Sequence, residues 1–408
     1  MKTLYQIRIA FPDTLSQSCT MLEKDLLIIG GGLSGLALAA SLKNTGISYS
    51  LFEKNKILPE ADGGVLKLWP NALRALEKTG IVNRLLEKSS RIDTGIVLNH
   101  HGSELNRIPL HRIGEQSGLP TISLIRKRLT EELLKEIPRD AIFENSNIIS
   151  IEEDASGVRI ELSDQSRHQG KILAGTDGTH SFVKNHLFPE RDLIYAGRIS
   201  FRGLSDAAAI LPEFSENASV EIFGSGMRFG FAPAGPKIGW YAPLNEDENF
   251  IPNNPVRYLC DKFTGWPPYV KELIESTDPD NIIQSPIRYN RPDTVRGKGD
   301  ITLLGDAACT ITPDLAQGAC MALEDAAVFA GALEKYGPCD EALRIYESLR
   351  VPRVKNVAEK SMKIGKMSNK DGAFHAWLRE KMWSWMPPGA AVKPIIKLVD
   401  DPFLPGIH

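Results

Sequence analysis

At 408 residues the chain is long enough for two or three domains with a large core, and its 42% hydrophobic and 24% charged residues are those of a globular protein, not a disordered or fibrous one. The 48 basic and 51 acidic residues leave a net charge of −3, and no block of like charge argues for nucleic acid or another polyanion as partner. Five scattered cysteines (Cys19, Cys260, Cys309, Cys320, Cys339) without a C-x-x-C argue against a disulfide scaffold or zinc site and suit a reducing cytoplasm; with no secretory signal and no run of about 18 apolar residues, the chain reads as soluble or at most peripheral.

A leader over 1–21 carries no pattern and is expected to be unstructured; a chain starting at Met21 would already contain the elements that follow. Residues 25–29 (DLLII) are an apolar run of strand length, 33–42 are Ala-rich with helical character, and 49–52 form a second strand ending at Glu53, which together make a β-α-β unit. Helical pieces are expected over 71–89, and residues 94–110 predict two strands around a polar turn at His101-Gly102. Leu129, Leu133, Leu134 and Ile137 share helical spacing over 126–137, and a hairpin turning at Ala155-Ser156-Gly157 is expected over 147–163. From about 190 to 290 the strands are rich in Gly, Pro and aromatics, which predicts a mostly antiparallel second domain. Strand 301–305 and a helix from about 319 to 334 return to the α/β texture, and 340–386 is mainly helical. There is no internal repeat and no low-complexity tract.

Gly30, Gly32 and Gly35 form G-x-G-x-x-G between the first strand and helix. In that context Gly30 lets the chain turn, Gly32 lets a pyrophosphate approach the backbone, and Gly35 permits close helix packing. The positive helix end, with Leu33 and Ser34, would hold phosphates, and Glu53, next to Lys54, would hydrogen-bond an adenosine ribose. This fingerprint does not distinguish FAD from NAD. Two later strands do better, one ending at Asp177-Gly178 and one at Gly305-Asp306, the second followed by Pro313–Gly318 (PDLAQG) and a helix beginning near Ala319. A carboxylate at a sheet edge before such a turn can hold a polyol chain, while the helix end faces an anionic group such as a reduced flavin.

With these three motifs in order, residues 22–365 resemble the single-component FAD-dependent aromatic hydroxylases typified by p-hydroxybenzoate and salicylate hydroxylases. The resemblance implies a discontinuous, Rossmann-like FAD-binding domain (22–190 and 291–365), an inserted, mostly antiparallel β substrate domain (191–290) and a C-terminal helical segment (366–408). It implies FAD-binding roles for Gly30, Gly32, Gly35, Glu53, Arg126 (in R-x-x-L with Leu129), Asp177, Asp306, Pro313, Gln317 and Gly318, and it matches Tyr346, Arg350 and Arg353 to Y-x-x-x-R-x-x-R. It further implies reduction of FAD by transiently bound NAD(P)H, addition of O2 as a C4a-hydroperoxide, and oxygen transfer to an electron-rich aromatic or heteroaromatic ring, by a monomer or homodimer without a metal. Alternatives are an oxidoreductase or epoxidase of the same fold, or a flavin-binding sensor or carrier.

Departures from the family pattern are Thr176, Cys309 and Ala316 in the three motifs, Gly63-Gly64-Val65-Leu66, Pro59 and Glu60 where arginine is common, and Lys184 for arginine. Phe201, Arg202, Arg228, Phe229, Phe231 and Tyr241 are candidates to line an apolar substrate pocket, and no residue presents itself as a catalytic base. Cys309 and Cys320 read as small buried hydrophobes, and His100-His101 as a solvent-exposed turn. The segment AFHAWLREKMWSWM reads as packing against the FAD domain or a second subunit, with an amphipathic membrane-surface helix as the alternative.

Overall fold

The computed structural model describes residues 23–58, 64–206, 214, 216–387 and 389–400. The expected leader, and Pro59, Glu60 and Gly63, lie outside the described residues.

Leu26 and Ile28 of strand Glu23–Ile29 enter one hydrophobic cluster, and Leu27 and Ile29 another on the opposite side. The strand is covered on both faces, which is why its sequence is an apolar run and not an alternation. It pairs in parallel with Arg167–Gly175 on one side and Tyr49–Phe52 on the other, Leu27 lying opposite Leu173 and Leu26 opposite Tyr49. Ile142–Phe143 extends the sheet past Tyr49–Phe52, and Ile301–Leu303 extends it past Arg167–Gly175. Gly297–Lys298 and the hairpin Ile148–Asp154/Gly157–Leu162 complete eight strands. Because the chain leaves Glu23–Ile29 toward Tyr49–Phe52 while Arg167–Gly175 lies on the other flank, a crevice opens at the carboxyl end of the first strand, the place where open α/β sheets take their ligands. Helix Leu33–Ser41, buried at all nine positions, starts in that crevice and packs on helix Gly318–Tyr336.

The second sheet has seven strands in the order Ile283–Tyr289, Ile194–Ser205, Lys237–Leu244, Arg228–Ala234, Ala218–Phe223, Thr94–Asn99 and Glu104–Pro109. Neighbours run antiparallel except Ala218–Phe223 and Thr94–Asn99. The sheet expected within 191–290 therefore takes two of its strands from the predicted 94–110 hairpin. Alternation of side chains identifies a strand but carries no record of which distant strand it pairs with. A three-stranded sheet of Val65–Leu68, Ile122–Ile125 and Ser90–Arg91 pairs with neither and packs against the second, Val65 lying over Gly239.

At the C-terminal end, helix Asp340–Ser368 runs through Pro352, and helices Ala373–Trp385 and Val392–Val399 follow. The region expected to be mainly helical is interrupted before Ala373, where Gly372 takes φ +101°. Only Arg379 of Ala373–Trp385 is buried. Among the described residues, no helix is long and apolar enough to cross a membrane.

Candidate active site

Each glycine of the fingerprint has a distinct contact. Gly30 takes φ +110°, and a Cβ there would lie 2.5 Å from the Thr176 carbonyl oxygen; a Cβ on Gly35 would lie 2.0 Å from the Gly30 carbonyl oxygen. Both positions are closed to any side chain. At Gly32 the nearest atom to such a Cβ is 3.9 Å away, so the backbone there faces open space. Glu53 sits behind this turn, its carboxylate accepting from the Gly31 N–H at 2.8 Å and the Asn55 N–H at 3.0 Å. Thr176, one of the departures, donates from Oγ1 to the carbonyls of Ile29 and Gly30, both at 2.8 Å, and so ties the glycine turn to the adjoining strand.

In front of the turn lies a cavity of about 1600 Å³. Of the residues expected to hold the nucleotide, Gly32, Leu33, Ser34, Arg126, Asp306, Pro313, Gly318 and Ala319 line it, and Gly30, Gly35, Glu53, Lys54, Asp177 and Gln317 do not. Asp177 is turned into the protein, where its carboxylate accepts from Ser181 Oγ at 2.5 Å, the Phe182 N–H at 2.7 Å and the Val183 N–H at 3.2 Å, capping helix Phe182–Leu187. Its neighbours Thr176, Gly178, Thr179 and His180 face the cavity instead. Lys184 is buried and donates to the Thr179 carbonyl at 3.3 Å. Gln317 is fully buried at the start of helix Gly318–Tyr336 and accepts from Asn71 Nδ2 at 3.0 Å.

The Asp306 carboxyl is exposed to the cavity. Its surroundings push its pKa up, and the facing Arg126 guanidinium only partly offsets that. Arg126 begins helix Arg126–Leu134, and its guanidinium has no hydrogen-bonded partner among the described residues. Asp306 is aimed by a buried lattice behind it. Asp325 Oδ2 accepts from the Gly305 N–H at 2.9 Å and from Arg296 Nη1 at 3.0 Å, and its Oδ1 accepts from Arg350 Nε at 2.7 Å. Arg350 also pairs with Glu324, as does Arg353, and the Tyr346 hydroxyl donates to the Leu303 carbonyl at 3.0 Å. Arg350 and Arg353 thus act through Glu324 and Asp325 and Tyr346 through the Leu303 carbonyl, and none of the three lines the cavity.

The substrate candidates divide by strand alternation. Arg202, Arg228 and Tyr241 share the face that lines the cavity, whereas Phe201 and Phe229 are fully buried in the core on the far side of the second sheet, Phe229 stacked on Trp240 at 5.5 Å; Phe231 belongs to that same core and borders the cavity only from the far face. Three polar residues that sequence reasoning passed over, Lys67, Glu221 and Asp314, also line the cavity. Tyr241 donates to Glu221, Arg228 Nη1 lies 3.2 Å from Glu221, and Asp314 joins Arg228 at 2.7 Å to Arg198 at 2.9 Å. Burial pushes the Glu221 carboxyl up, with Arg228 pulling the other way, and burial together with the Glu221 charge raises the Tyr241 phenol well above its usual value. Burial brings the Lys67 ammonium down to about 8, with Glu221 opposing. These residues stand at 67, 221 and 314 in unrelated local patterns, and the only sequence signal was the Asp314 position inside the PDLAQG loop.

Cys309 and Cys320 are buried, and burial pushes their thiols up to about 11 and about 12, so both behave as small hydrophobes. His101 is exposed and His100 partly so, their rings 3.9 Å apart in the turn before Gly102. No group of three or more His, Cys, Asp or Glu among the described residues is arranged to hold a metal.

Residues 23–218 match the model of a family described as an FAD binding domain. The chain is 31% identical over 363 residues to aurachin C monooxygenase/isomerase of Stigmatella aurantiaca, covering 88% of this chain and 94% of that protein. It is 30% identical over 368 residues to FAD-dependent urate hydroxylase of Klebsiella oxytoca, covering 87% and 93%. Its fold superposes on the crystal structure of Klebsiella pneumoniae HpxO complexed with FAD and uric acid with a TM-score of 0.85 at 24% identity, over 92% of this chain and 96% of the other. The groups present fit an FAD: an open backbone at Gly32, an unpartnered Arg126 facing Asp306, and a cavity beyond the roughly 300–1,000 Å³ that a drug-sized ligand occupies. The chain belongs to the aromatic hydroxylase-like family of FAD-dependent monooxygenases.

Proposed function

We propose that the enzyme uses NAD(P)H and O2 to hydroxylate an aromatic or heteroaromatic small molecule. In this reading Gly32, Leu33 and Ser34 receive the pyrophosphate, Glu53 and Lys54 border the adenosine ribose, and Arg126 and Asp306 hold the ribityl and flavin end. Pro313, Gly318 and Ala319 border the ring, with Gln317 fixing the helix start from behind. When bound and reduced by NAD(P)H, FAD would supply the O2 activation from which one oxygen atom goes to the substrate and the other leaves as water.

The chain's own residues then have three tasks. The apolar wall contributed by Val65, Val97 and Ile287 excludes water from the reacting ring. Arg202 and the Tyr241–Glu221–Arg228 cluster give the substrate its few polar contacts and so its orientation. The Asp325 lattice holds the Gly305-Asp306 turn in one geometry. No general base is assigned. In this reading the nicotinamide visits transiently; the four unpaired cysteines among the described residues suit a reducing cytoplasm.

The observation that carries this reading is the continuity of one cavity from Gly32 to Arg202, Arg228 and Tyr241. The test is to screen phenols, quinolones and purines for stimulated NAD(P)H oxidation by the FAD-loaded protein, using isotopically labelled O2. Label in the product as a new hydroxyl supports hydroxylation, and label in an epoxide favours an epoxidase. Flavin reduction without label in any product favours an oxidoreductase, and a flavin that NAD(P)H never reduces favours a sensor or carrier.

A further inference from the structure

The cavity opens between the C-terminal helices, and its mouth differs from its floor. Helix Ala373–Trp385 turns Leu378, Met382 and Trp383 toward the opening. Phe374, Trp377 and Trp385, at spacings of three and eight residues and 66%, 52% and 76% exposed, continue the Leu378 side of the helix outward, with Lys381 among them. Nothing among the described residues covers that side. The helix is not loosely attached, because Arg379 donates to the Gly224 carbonyl and Asn106 Nδ2 donates to the Trp383 and Met386 carbonyls at 2.7 and 2.9 Å. An apolar helix face is ordinarily turned to the core; this helix is held firmly with its apolar face outward.

The same mouth is basic. Lys360, Lys363, Lys370, Lys393 and Lys397 line it, and none has an ion-pair partner among the described residues. Residues 360–400 contain eight basic and three acidic residues, in a chain whose net charge is −3. The lysines are spread at helical intervals, which is why they form no block in the sequence.

We propose that this face docks on an anionic lipid surface, with Phe374, Trp377 and Trp385 in the headgroup and acyl boundary and the lysines against lipid phosphates, so that the cavity opens into the bilayer. Charge decides against a second copy of the chain, since pairing two such faces would oppose two sets of unpaired lysines and seal both cavities. A consequence, resting on the hydroxylase reading, is that the substrate carries a long apolar chain and enters from the lipid.

The test is co-sedimentation of the FAD-loaded enzyme with vesicles of phosphatidylcholine alone and of phosphatidylcholine with phosphatidylglycerol. Binding is expected only to the anionic vesicles and should fall steeply with salt. Trp377→Glu/Trp385→Glu and, separately, Lys393→Glu/Lys397→Glu are expected to weaken it on the order of tenfold or more, with flavin content unchanged. No binding to anionic vesicles at low salt, or binding that neither variant reduces, overturns the proposal. So does a dimer in light scattering that Trp377→Glu/Trp385→Glu dissolves, because the face is then taken by a second copy. The readout contains no turnover, so a failed hydroxylase reading leaves it interpretable, and a failed docking result leaves the hydroxylase reading standing.

Discussion

Two of the fingerprint glycines are separable by experiment because their surroundings differ. Gly35→Ala forces a methyl into the Gly30 carbonyl at 2.0 Å, so the protein is expected to lose about 1–3 kcal/mol of stability, read from a urea or thermal melt, and its flavin with it. Gly32→Ala meets nothing within 3.9 Å, so the melt of the flavin-free protein is expected to be unchanged while FAD retention falls; equal retention would remove the phosphates from this turn. Asp306→Ala is likewise expected to weaken FAD retention without unfolding, since its carboxyl faces the cavity and holds no protein element in place. Ala316, where the family has glycine, sits at φ +50°, a left-handed conformation that costs an alanine roughly 1 kcal/mol. Ala316→Gly should therefore raise the melting midpoint, and a lower midpoint would show that the alanine methyl contributes packing that outweighs its strain.

For the elements, the sequence was most informative where a motif is completed locally. The strand, glycine turn, helix and Glu53 lie within about thirty residues, so their contacts are fixed by spacing, and the predicted strand over 25–29 and helix over 33–42 match Glu23–Ile29 and Leu33–Ser41 within two residues at each end. It was least informative where partners are remote. The pairing of Thr94–Asn99 with Ala218–Phe223 joins segments more than a hundred residues apart, and period-two patterning cannot encode it. Asp177 marks a middle case, since its place at a sheet edge was legible but the direction of its carboxylate was not. That carboxylate caps helix Phe182–Leu187, so Asp177→Ala is expected to cost about 1 kcal/mol, as lost caps do, with flavin content retained. Loss of flavin at full stability would instead give Asp177 a direct part in holding the cofactor.

The two large sheets meet across the cavity, and Asp314 is the side chain that ties the loop from the first to the wall of the second. Its side chain is wholly buried, with Arg198 of strand Ile194–Ser205 at 2.9 Å and Arg228 of strand Arg228–Ala234 at 2.7 Å. Burial alone would raise the Asp314 pKa, but hydrogen bonds from Arg198 and the charge of Arg228 outweigh it and hold the carboxyl below the usual aspartate range. Removing one member of a buried ionic cluster typically costs about 3–5 kcal/mol, so Asp314→Asn should be strongly destabilised at neutral pH. The sign of its pH dependence follows from linkage. The unfolded chain takes up the Asp314 proton at a higher pH than the folded one, so this stabilisation is complete above the ordinary aspartate pKa and is lost as pH falls through the lower, folded value. The stability gap between wild type and Asp314→Asn should therefore be constant from about pH 5 to 8 and narrow only under more acidic conditions. A gap that instead narrowed between pH 6 and 8 would assign the coupling to a different titrating group. Because the loop at 313–318 and the wall bearing Arg228 share this carboxylate, the hydroxylation proposed above should, in the variant, transfer less oxygen per NAD(P)H consumed, measured as the ratio of hydroxylated product to cofactor oxidised. An unchanged ratio in protein that remains folded would mean that the two sheets position flavin and substrate independently of Asp314.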